Sequence, residues 1–255
     1  MGHTIVIAVE PGTAQRVARV GGELALRLDA RAVLAHVQVE APFFSARGDR
    51  ERDRHQRERR GRAVAHAASA ALPAGVVAEE RVALGGVVSG LAEIAEDEEA
   101  TLIVAGCRGR GALATALLGS TSRALPSAAP CPVMIVPPAP VDRPRPFDGA
   151  GGELPTMVAG MDGSTEASAA VRFAESLAAA MDHRLVVVQL REDAGTRAAA
   201  LQGISESEDA RMIVIAAEQR NGHRLGLRSL AARLPRLATC PVTVVPYGTP
   251  TALAD

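Results

Sequence analysis

The chain has 255 residues, of which 47% are apolar and 2% aromatic, and its formal net charge is −1 at neutral pH. This charge balance argues against binding to nucleic acid or to an acidic membrane surface through the overall field of the protein. All 28 basic residues are arginine, which excludes any mechanism that needs a lysine ammonium or a lysine Schiff base.

Short β-branched runs alternate with alanine-rich stretches over residues 1–137. The pattern predicts strands over 4–9, 32–37, 76–84, 102–105 and 133–136, separated by helices over about 13–29, 47–71, 88–99 and 115–128. The strand runs are continuously apolar, as expected for parallel strands that are buried on both faces. The alternation therefore predicts βαβ units and a doubly wound α/β sheet.

Residues 138–154 interrupt this pattern. The segment is rich in Pro and Gly, so it is predicted to form neither a helix nor a central strand. Its prolines favour a semi-rigid spacer between two domains over a flexible tether. We therefore expect a domain over 1–137, a linker over 138–154, a second domain over 155–247 and a tail over 248–255.

The pattern restarts after the linker, which indicates an internal duplication. Glu10 and Asp162 follow equivalent strands and lie 152 residues apart, whereas Cys131 and Cys240 lie only 109 apart. The second copy is thus shorter by 43 residues. Only the stretch 191–211 separates its second and fourth strands, so we expect the third strand and one flanking helix to be missing.

The most informative segment follows the fourth predicted strand. It reads Gly106-x2-Gly109-x9-Gly119-Ser120 and begins at the carboxyl end of a buried strand. Ligands bind at this edge in open α/β sheets. Glycines let the main chain approach a phosphate without an intervening Cβ, and successive N–H groups can form an anion-binding concavity. The segment therefore predicts a phosphate site.

This spacing resembles the universal stress protein family, which carries G-x2-G-x9-G-[S/T] after its fourth strand. The run LAHV over 34–37 and the run APCPVMIVP over 129–137 are also similar. The resemblance covers nearly all of 1–137 and, more weakly, 155–246. It implies five-stranded parallel sheets of order 3-2-1-4-5, pairing of domains through their fifth strands, and ATP binding in one subgroup.

The resemblance also implies roles for individual residues. Glu10 would face the ribose or the phosphates of ATP, and Val37 would contact adenine. The phosphates, with or without Mg²⁺, would be held by Gly106, Gly109, Gly119, Ser120 and Thr121. The family usually has Asp where this chain has Glu10, and the additional methylene displaces the carboxylate by about 1.5 Å.

The second copy has lost this glycine cradle. Ala216 stands in the place of Gly106, and Arg228 stands in the place of Gly119. Asp162 is kept, and the following Ser164 or Thr165 is expected to cap a helix. We expect no nucleotide in this copy, which would serve as a structural or interaction partner.

Three functions remain open at this point. The leading one is a stress-response regulatory protein that binds ATP in its first domain without fast turnover and presents a surface to a protein partner. The second is a structural or interaction module whose glycine loop binds no nucleotide. The third, an enzyme of a wider adenine-nucleotide α/β class, ranks last because its signatures SGGxDS and HIGH do not occur.

Cysteine usage and the absence of targeting patterns predict the compartment. The three cysteines have no CxxC spacing, and their odd number argues against a disulfide framework. Cys131 and Cys240 each precede a proline and are expected to be buried and inert, while His36 is expected to be a core or site-wall residue. No apolar run approaches the roughly 20 residues that span a bilayer. We therefore expect a cytoplasmic protein whose halves pair within one chain or in a homodimer.

Overall fold

A computed structural model describes residues 2–39, 50–107, 120–138, 147–149, 153–191, 193–217 and 229–248 of the chain. They form one sheet of nine strands in the order β3-β2-β1-β4-β5-β9-β8-β6-β7. The fold is therefore the α/β type that the sequence predicts. In the first half of the chain, strands β1 to β5 pair in parallel in the order 3-2-1-4-5.

The first half alternates strands and helices as predicted. Its elements are β1 (Thr4–Ala8), α1 (Ala14–Arg27), β2 (Arg31–Gln38), α2 (Arg50–Ser69), β3 (Ala78–Leu84), α3 (Val87–Asp97), β4 (Leu102–Gly106), α4 (Ser120–Ala124) and β5 (Val133–Val136). A helix was predicted over 115–128, but α4 ends at Ala124 and continues as a 3-10 turn over Leu125–Ser127. Pro126 explains the early end, because proline lacks an N–H and disfavours helical geometry at the residue before it.

Each strand divides its side chains between two buried layers. In β1, Ile5 and Ile7 belong to one apolar cluster, and Val6 and Ala8 belong to the cluster on the opposite face. Helices α1 and α2 cover the first face, and α3 covers the second. Burial on both faces is the reason that the strand sequences are continuously apolar.

The second half has one strand fewer. Its elements are β6 (Thr156–Met161), α5 (Thr165–Ala180), β7 (Arg184–Gln189), α6 (Ala194–Ser207), β8 (Met212–Ala216), α7 (Leu230–Leu237) and β9 (Val242–Val245). These strands repeat the order 2-1-4-5, and α6 alone connects β7 to β8. Among the described residues, the third strand and its flanking helix are therefore missing, as the sequence predicts.

The two halves join through their fifth strands within one chain. Strands β5 and β9 are antiparallel, with Met134 opposite Thr243. Part of the linker also packs between the halves, because Phe147 is fully buried in the cluster that contains residues of both α1 and α5. Asp148 next to it forms an ion pair with Arg27 of α1. Within the predicted linker, a single aromatic side chain therefore anchors residues 147–149 in the core, which the sequence did not indicate.

In the part of the chain that the structure describes, no helix combines the length and the apolar character that crossing a membrane requires.

Candidate functional site

An open crevice lies between the carboxyl ends of β1 and β4, and we call it the β1–β4 crevice. Its empty space, which includes open solvent, is about 310 Å³, and it is lined by Ala8, Glu10, Thr13, Leu91, Ala105, Gly106, Thr121 and Ser122. Its small residues come from the two strand ends, and its hydroxyls come from α4 and from the start of α1. The crevice lies at the edge where open α/β sheets bind ligands, at the point where the strand order reverses.

The turn after β1 places Glu10 at the rim of the crevice. The carbonyl of Glu10 accepts hydrogen bonds from the N–H of Thr13 at 3.0 Å and from the N–H of Ala14 at 2.9 Å. Gly12 lies in the left-handed region with φ +91°, which an L side chain rarely adopts. This tight turn fixes the backbone of Glu10, a half-buried residue that lines the crevice.

Gly106 ends β4 directly against the start of α1. A Cβ at this position would lie 2.9 Å from Cβ and Oγ1 of Thr13 and 2.9 Å from Cγ2 of Val17. Real Cβ atoms essentially never approach other atoms so closely. The absence of a side chain at Gly106 therefore lets the helix and the strand pack together at the floor of the crevice.

Hydroxyl side chains follow the glycine loop on the other wall. Ser122 is buried, and its Oγ donates to the carbonyl of Gly106 at 2.9 Å. Thr121 lines the crevice, whereas Ser120 is exposed at the start of α4. The sequence reasoning missed Ser122, Thr13 and Leu91 as lining residues. The run Ser-Thr-Ser after Gly119 was a signal for Ser122, because such a run turns hydroxyls to both sides of a helical turn.

A guanidinium group stands beside the beginning of the glycine loop. Arg16 of α1 donates to the carbonyl of Cys107 at 3.4 Å and to the carbonyl of Pro138 at 3.1 Å. Burial lowers the pKa of Arg16 from its ordinary value, although the nearby Cys107 opposes that shift. Arg16 thus ties the entry of the loop to the start of the linker and places a positive charge there.

The structure brings some of the predicted site residues together. Glu10, Gly106 and Thr121 line one crevice. Val37 is not part of that lining: its side chain is 5% exposed, and the position of a Cβ on Gly90 of α3 is only 3.0 Å from its Cγ1. Gly109 and Gly119 lie outside the described residues.

The equivalent edge of the second half, at the ends of β6 and β8, holds an acidic residue that its own side chains engage. Asp162 accepts hydrogen bonds from the N–H and the Oγ of Ser164 at 3.1 and 2.6 Å, and Arg197 of α6 lies 3.0 Å from its other oxygen. Burial raises the pKa of the Asp162 carboxyl, but the bonds from Ser164 and the charge of Arg197 outweigh burial and leave the pKa lowered. Ser164 also caps α5 by accepting from the N–H of Ala167, which confirms the predicted cap.

The cysteines and the histidine that the sequence analysis considered, Cys131, Cys240 and His36, lie in the protein interior. Cys131 and Cys240 are buried as predicted, and burial raises the pKa of the Cys131 thiol to about 12. His36 is buried with its Nδ1 2.8 Å from the carbonyl of Val9. No group of three or more His, Cys, Asp or Glu side chains is arranged to hold a metal ion in the described part of the chain.

Known proteins share both the sequence pattern and the fold of this chain. The sequence model of the universal stress protein family matches residues 1–137. The structure of a universal stress protein from Archaeoglobus fulgidus DSM 4304 is 17% identical, with a TM-score of 0.72, and the match covers 96% of this chain and 98% of that one. A functionally unknown protein from Pseudomonas aeruginosa PAO1 is 16% identical, with a TM-score of 0.61, over 96% of this chain and 92% of that one.

A third structure, of a universal stress protein in complex with cAMP, is 25% identical but covers 52% of this chain and 94% of that one, with a TM-score of 0.36. That likeness is too low to support an argument about ligands of this chain. No curated protein is significantly similar to this chain in sequence. The family match spans more than half of the chain, and the structural matches reproduce its fold across nearly all of it. The chain therefore belongs to the universal stress protein family.

Proposed function

We propose that this protein is a stress-response regulator that binds ATP in the β1–β4 crevice without fast turnover. The observation that carries the proposal is the open crevice itself, which combines a floor of Ala8, Ala105 and Gly106 with the hydroxyls of Thr13 and Thr121. Small residues leave the main chain accessible, and hydroxyls can donate to phosphate oxygens. The glycine loop that follows Gly106 in the sequence supplies further main-chain N–H groups.

The charges of Arg16 and Glu10 favour one orientation of the nucleotide. Arg16 places its guanidinium beside Cys107, the residue that leads into the glycine loop. Glu10 lines the crevice two residues after the end of β1. A triphosphate would therefore lie towards the loop and α4, and the ribose would lie towards Glu10, because a carboxylate accepts from ribose hydroxyls but repels phosphate.

Slow turnover follows from the side chains available at this site. Among the described lining residues, Glu10 is the one carboxylate, and the chain has no lysine to neutralise charge on a transferring phosphoryl group. We therefore expect ATP to act as a bound ligand that stabilises one state of the protein, with or without Mg²⁺.

A second candidate is a structural or interaction module that binds no nucleotide. The packing of Gly106 against Thr13 and Val17 favours it, because that glycine would be needed even without a ligand. The two candidates differ in one measurable property, the affinity for ATP.

The test is calorimetric titration of ATP into the full chain, with and without Mg²⁺. The wild type should bind, and Gly119→Arg should lose at least tenfold in affinity, because it introduces the residue that the second half carries at Arg228. Gly203→Arg is the matched control, since Gly203 is exposed on α6 and a Cβ there meets nothing within 4 Å. It should bind as the wild type does. A wild type that does not bind ATP would establish the second candidate, and equal binding by wild type and Gly119→Arg would refute the phosphate site.

A further inference from the structure

The nine-stranded sheet ends in two very different edges. In the described part of the chain, β3 forms one end of the sheet and β7 forms the other. Strand β7 is an edge only because the second half lacks a third strand. An unpaired edge exposes N–H and C=O groups that can pair with another chain, so proteins usually protect such edges.

The β3 edge is protected by charge. Glu79, Glu80 and Arg81 are exposed in the first part of this strand. Arg81 forms ion pairs with Glu79 at 2.9 Å and with Glu98 at 2.5 Å. Charged side chains in such a network oppose the approach of another strand.

Among the described residues of β7, a charged side chain stands only at the first position, Arg184. It reads Arg184-Leu-Val-Val-Val-Gln189, and the side chain of Val187 is 42% exposed. The equivalent residue of the first half is Leu34, which is fully buried because β3 and α2 pack beside and over β2. The shortening of the second half therefore leaves a strand with an interior sequence at the surface.

The hydrogen bonds to β6 establish which groups of β7 point outward. The N–H of Arg184 donates to the carbonyl of Pro155 at 2.9 Å, and the N–H of Leu190 donates to the carbonyl of Met161 at 2.6 Å. Successive residues of a strand direct their main-chain groups to opposite sides. The even-numbered residues of β7 therefore face β6, and Leu185, Val187 and Gln189 turn their N–H and C=O groups outward.

We propose that β7 pairs antiparallel with β7 of a second copy of this chain, about a two-fold axis at Val187. Outward-pointing residues must oppose each other to exchange hydrogen bonds, which places Val187 opposite Val187 and Leu185 opposite Gln189. Both copies then contribute the same three residues and exchange six hydrogen bonds. An interface of this kind uses one surface twice, as a two-fold dimer requires.

Charge and closure favour a second copy over an unrelated strand. In this register Arg184 lies opposite Leu190, so no like charges face each other, and Arg184 already pairs with Glu208 at 2.5 Å. The joined sheet would end on both sides in the charged β3 edge, so the assembly would stop at two copies. The antiparallel β5–β9 pair shows that three opposed residue pairs already join two halves of this molecule.

The experiment uses a charge swap on the two-fold axis and sedimentation equilibrium of the full chain. The wild type should have twice the monomer mass of 26.4 kDa, and Val187→Arg and Val187→Glu should each raise the dimer dissociation constant at least tenfold, because like charges would face each other. An equimolar mixture of the two variants should restore the dimer. Circular dichroism and thermal unfolding establish that each variant is folded, as expected for a position that is already 42% exposed.

The matched control is Val77→Arg, which makes the same substitution at an 89% exposed position just before β3. It should leave the dimer intact. A wild type that is monomeric at about 100 μM refutes the proposal, as does a dimer that Val187→Arg does not weaken. Folded single variants that fail to associate when mixed would refute the two-fold register, and dissociation by Val77→Arg would assign the interface to β3.

Discussion

The two halves keep the same strand order around their ligand edge but fill it differently. At the β1–β4 crevice, Glu10 and Gly106 follow or end the strands and line the crevice. At the β6–β8 edge, Ala216 adds a side chain where Gly106 has none, and Arg197 neutralises Asp162. The two halves thus keep the same sheet while a methyl group and an ion pair distinguish their equivalent edges.

The helices behind the two edges differ at one equivalent buried position. Val17 of α1 and Ala170 of α5 occupy the same buried helix position, and both are fully buried. Val17 lies against Gly106, whereas Ala216 packs against the apolar cluster that contains Ala170. The first half thus has a valine and a glycine at these two positions, whereas the second half has an alanine at each.

The largest effect is expected for Gly106→Ala. The new Cβ would overlap Thr13 and Val17, so the free energy of unfolding should fall by about 1–3 kcal/mol. Val17→Ala alone should cost about 2 kcal/mol, because it deletes buried methyl groups. In the double variant the smaller helix residue accommodates part of the new methyl group, so the combined loss should be smaller than the sum of the two. Urea denaturation of the four proteins measures this coupling.

Additive losses in that cycle would mean that Gly106 and Val17 do not share space. Titration of the double variant with ATP then tests whether Gly106 also contributes to nucleotide binding. Wild-type affinity in a folded double variant would assign the glycine to packing against α1. Lost affinity would show that a bare main chain at this position also serves the nucleotide.

A second difference lies where α1 and α5 lead into the next strand. The first half has Ala30 there, and the second half has His183, which is buried. The Nδ1 of His183 is 2.8 Å from the carbonyl of Met181, and its Nε2 is buried without a hydrogen-bond partner in the described part of the chain. Burial lowers the pKa of His183, and the charge of Arg27 lowers it further, against the opposing effects of Met181, Asp182 and Asp148.

This histidine should make the second half sensitive to mild acid. A basic group whose pKa is lowered in the folded state favours folding at a pH above its ordinary pKa of 6.5. That contribution is lost as the pH falls below this pKa, because the unfolded chain then binds the proton more readily. The wild type should lose up to about 1.4 kcal/mol per pH unit there for one proton. His183→Ala, which introduces the residue of the first half, should flatten the profile of unfolding free energy between pH 7 and 5. Parallel profiles would show that the buried imidazole contributes nothing to it.

The sequence predicted what depends on local pattern and on counting residues along the chain. Continuous apolar runs identified the strands, the two unequal offsets identified the missing third strand, and the glycine spacing identified the family. It could not predict the Asp162–Arg197 pair, because the two residues lie 35 positions apart and any of many arginines could have filled that role. Phe147 was equally hidden, since a lone aromatic residue in a Pro- and Gly-rich segment carries no periodicity.

The site was predicted less completely than the fold for the same reason. Glu10, Gly106 and Thr121 belong to motifs that can be read along the chain, and they do line the crevice. Thr13 and Leu91 line it because of how α1 and α3 pack on the sheet. The choice between pairing of the halves within one chain and across two chains also depended on tertiary contacts, and the β5–β9 pair lies within one chain.

The smallest effect is expected for Arg197→Val. This substitution introduces the residue of the first half, because Val87 lies as far from the carboxyl end of α3 as Arg197 lies from the carboxyl end of α6. The Arg197–Asp162 pair is partly exposed, so its loss should cost no more than about 1 kcal/mol. The pKa of Asp162 should rise towards its ordinary value of 3.8, because one of the causes that lower it is removed. A carboxyl whose pKa is lowered in the folded state stabilises the protein at a pH above its ordinary pKa. This stabilisation is lost as the pH falls through the folded-state pKa. The variant should therefore lose less stability than the wild type between pH 4 and 2.

The same substitution tests which feature of the β6–β8 edge would exclude ATP. In a Gly119→Arg background, where the first half should bind no ATP, Arg197→Val removes the ion pair but leaves the side chain of Ala216 in place. If the methyl group and the lost glycine loop exclude the nucleotide, titration of this double variant with ATP should show no heat of binding. Binding in the double variant but not in Gly119→Arg alone would mean that Arg197 is what closes the edge. One removable ion pair would then be what prevents the second half from binding ATP.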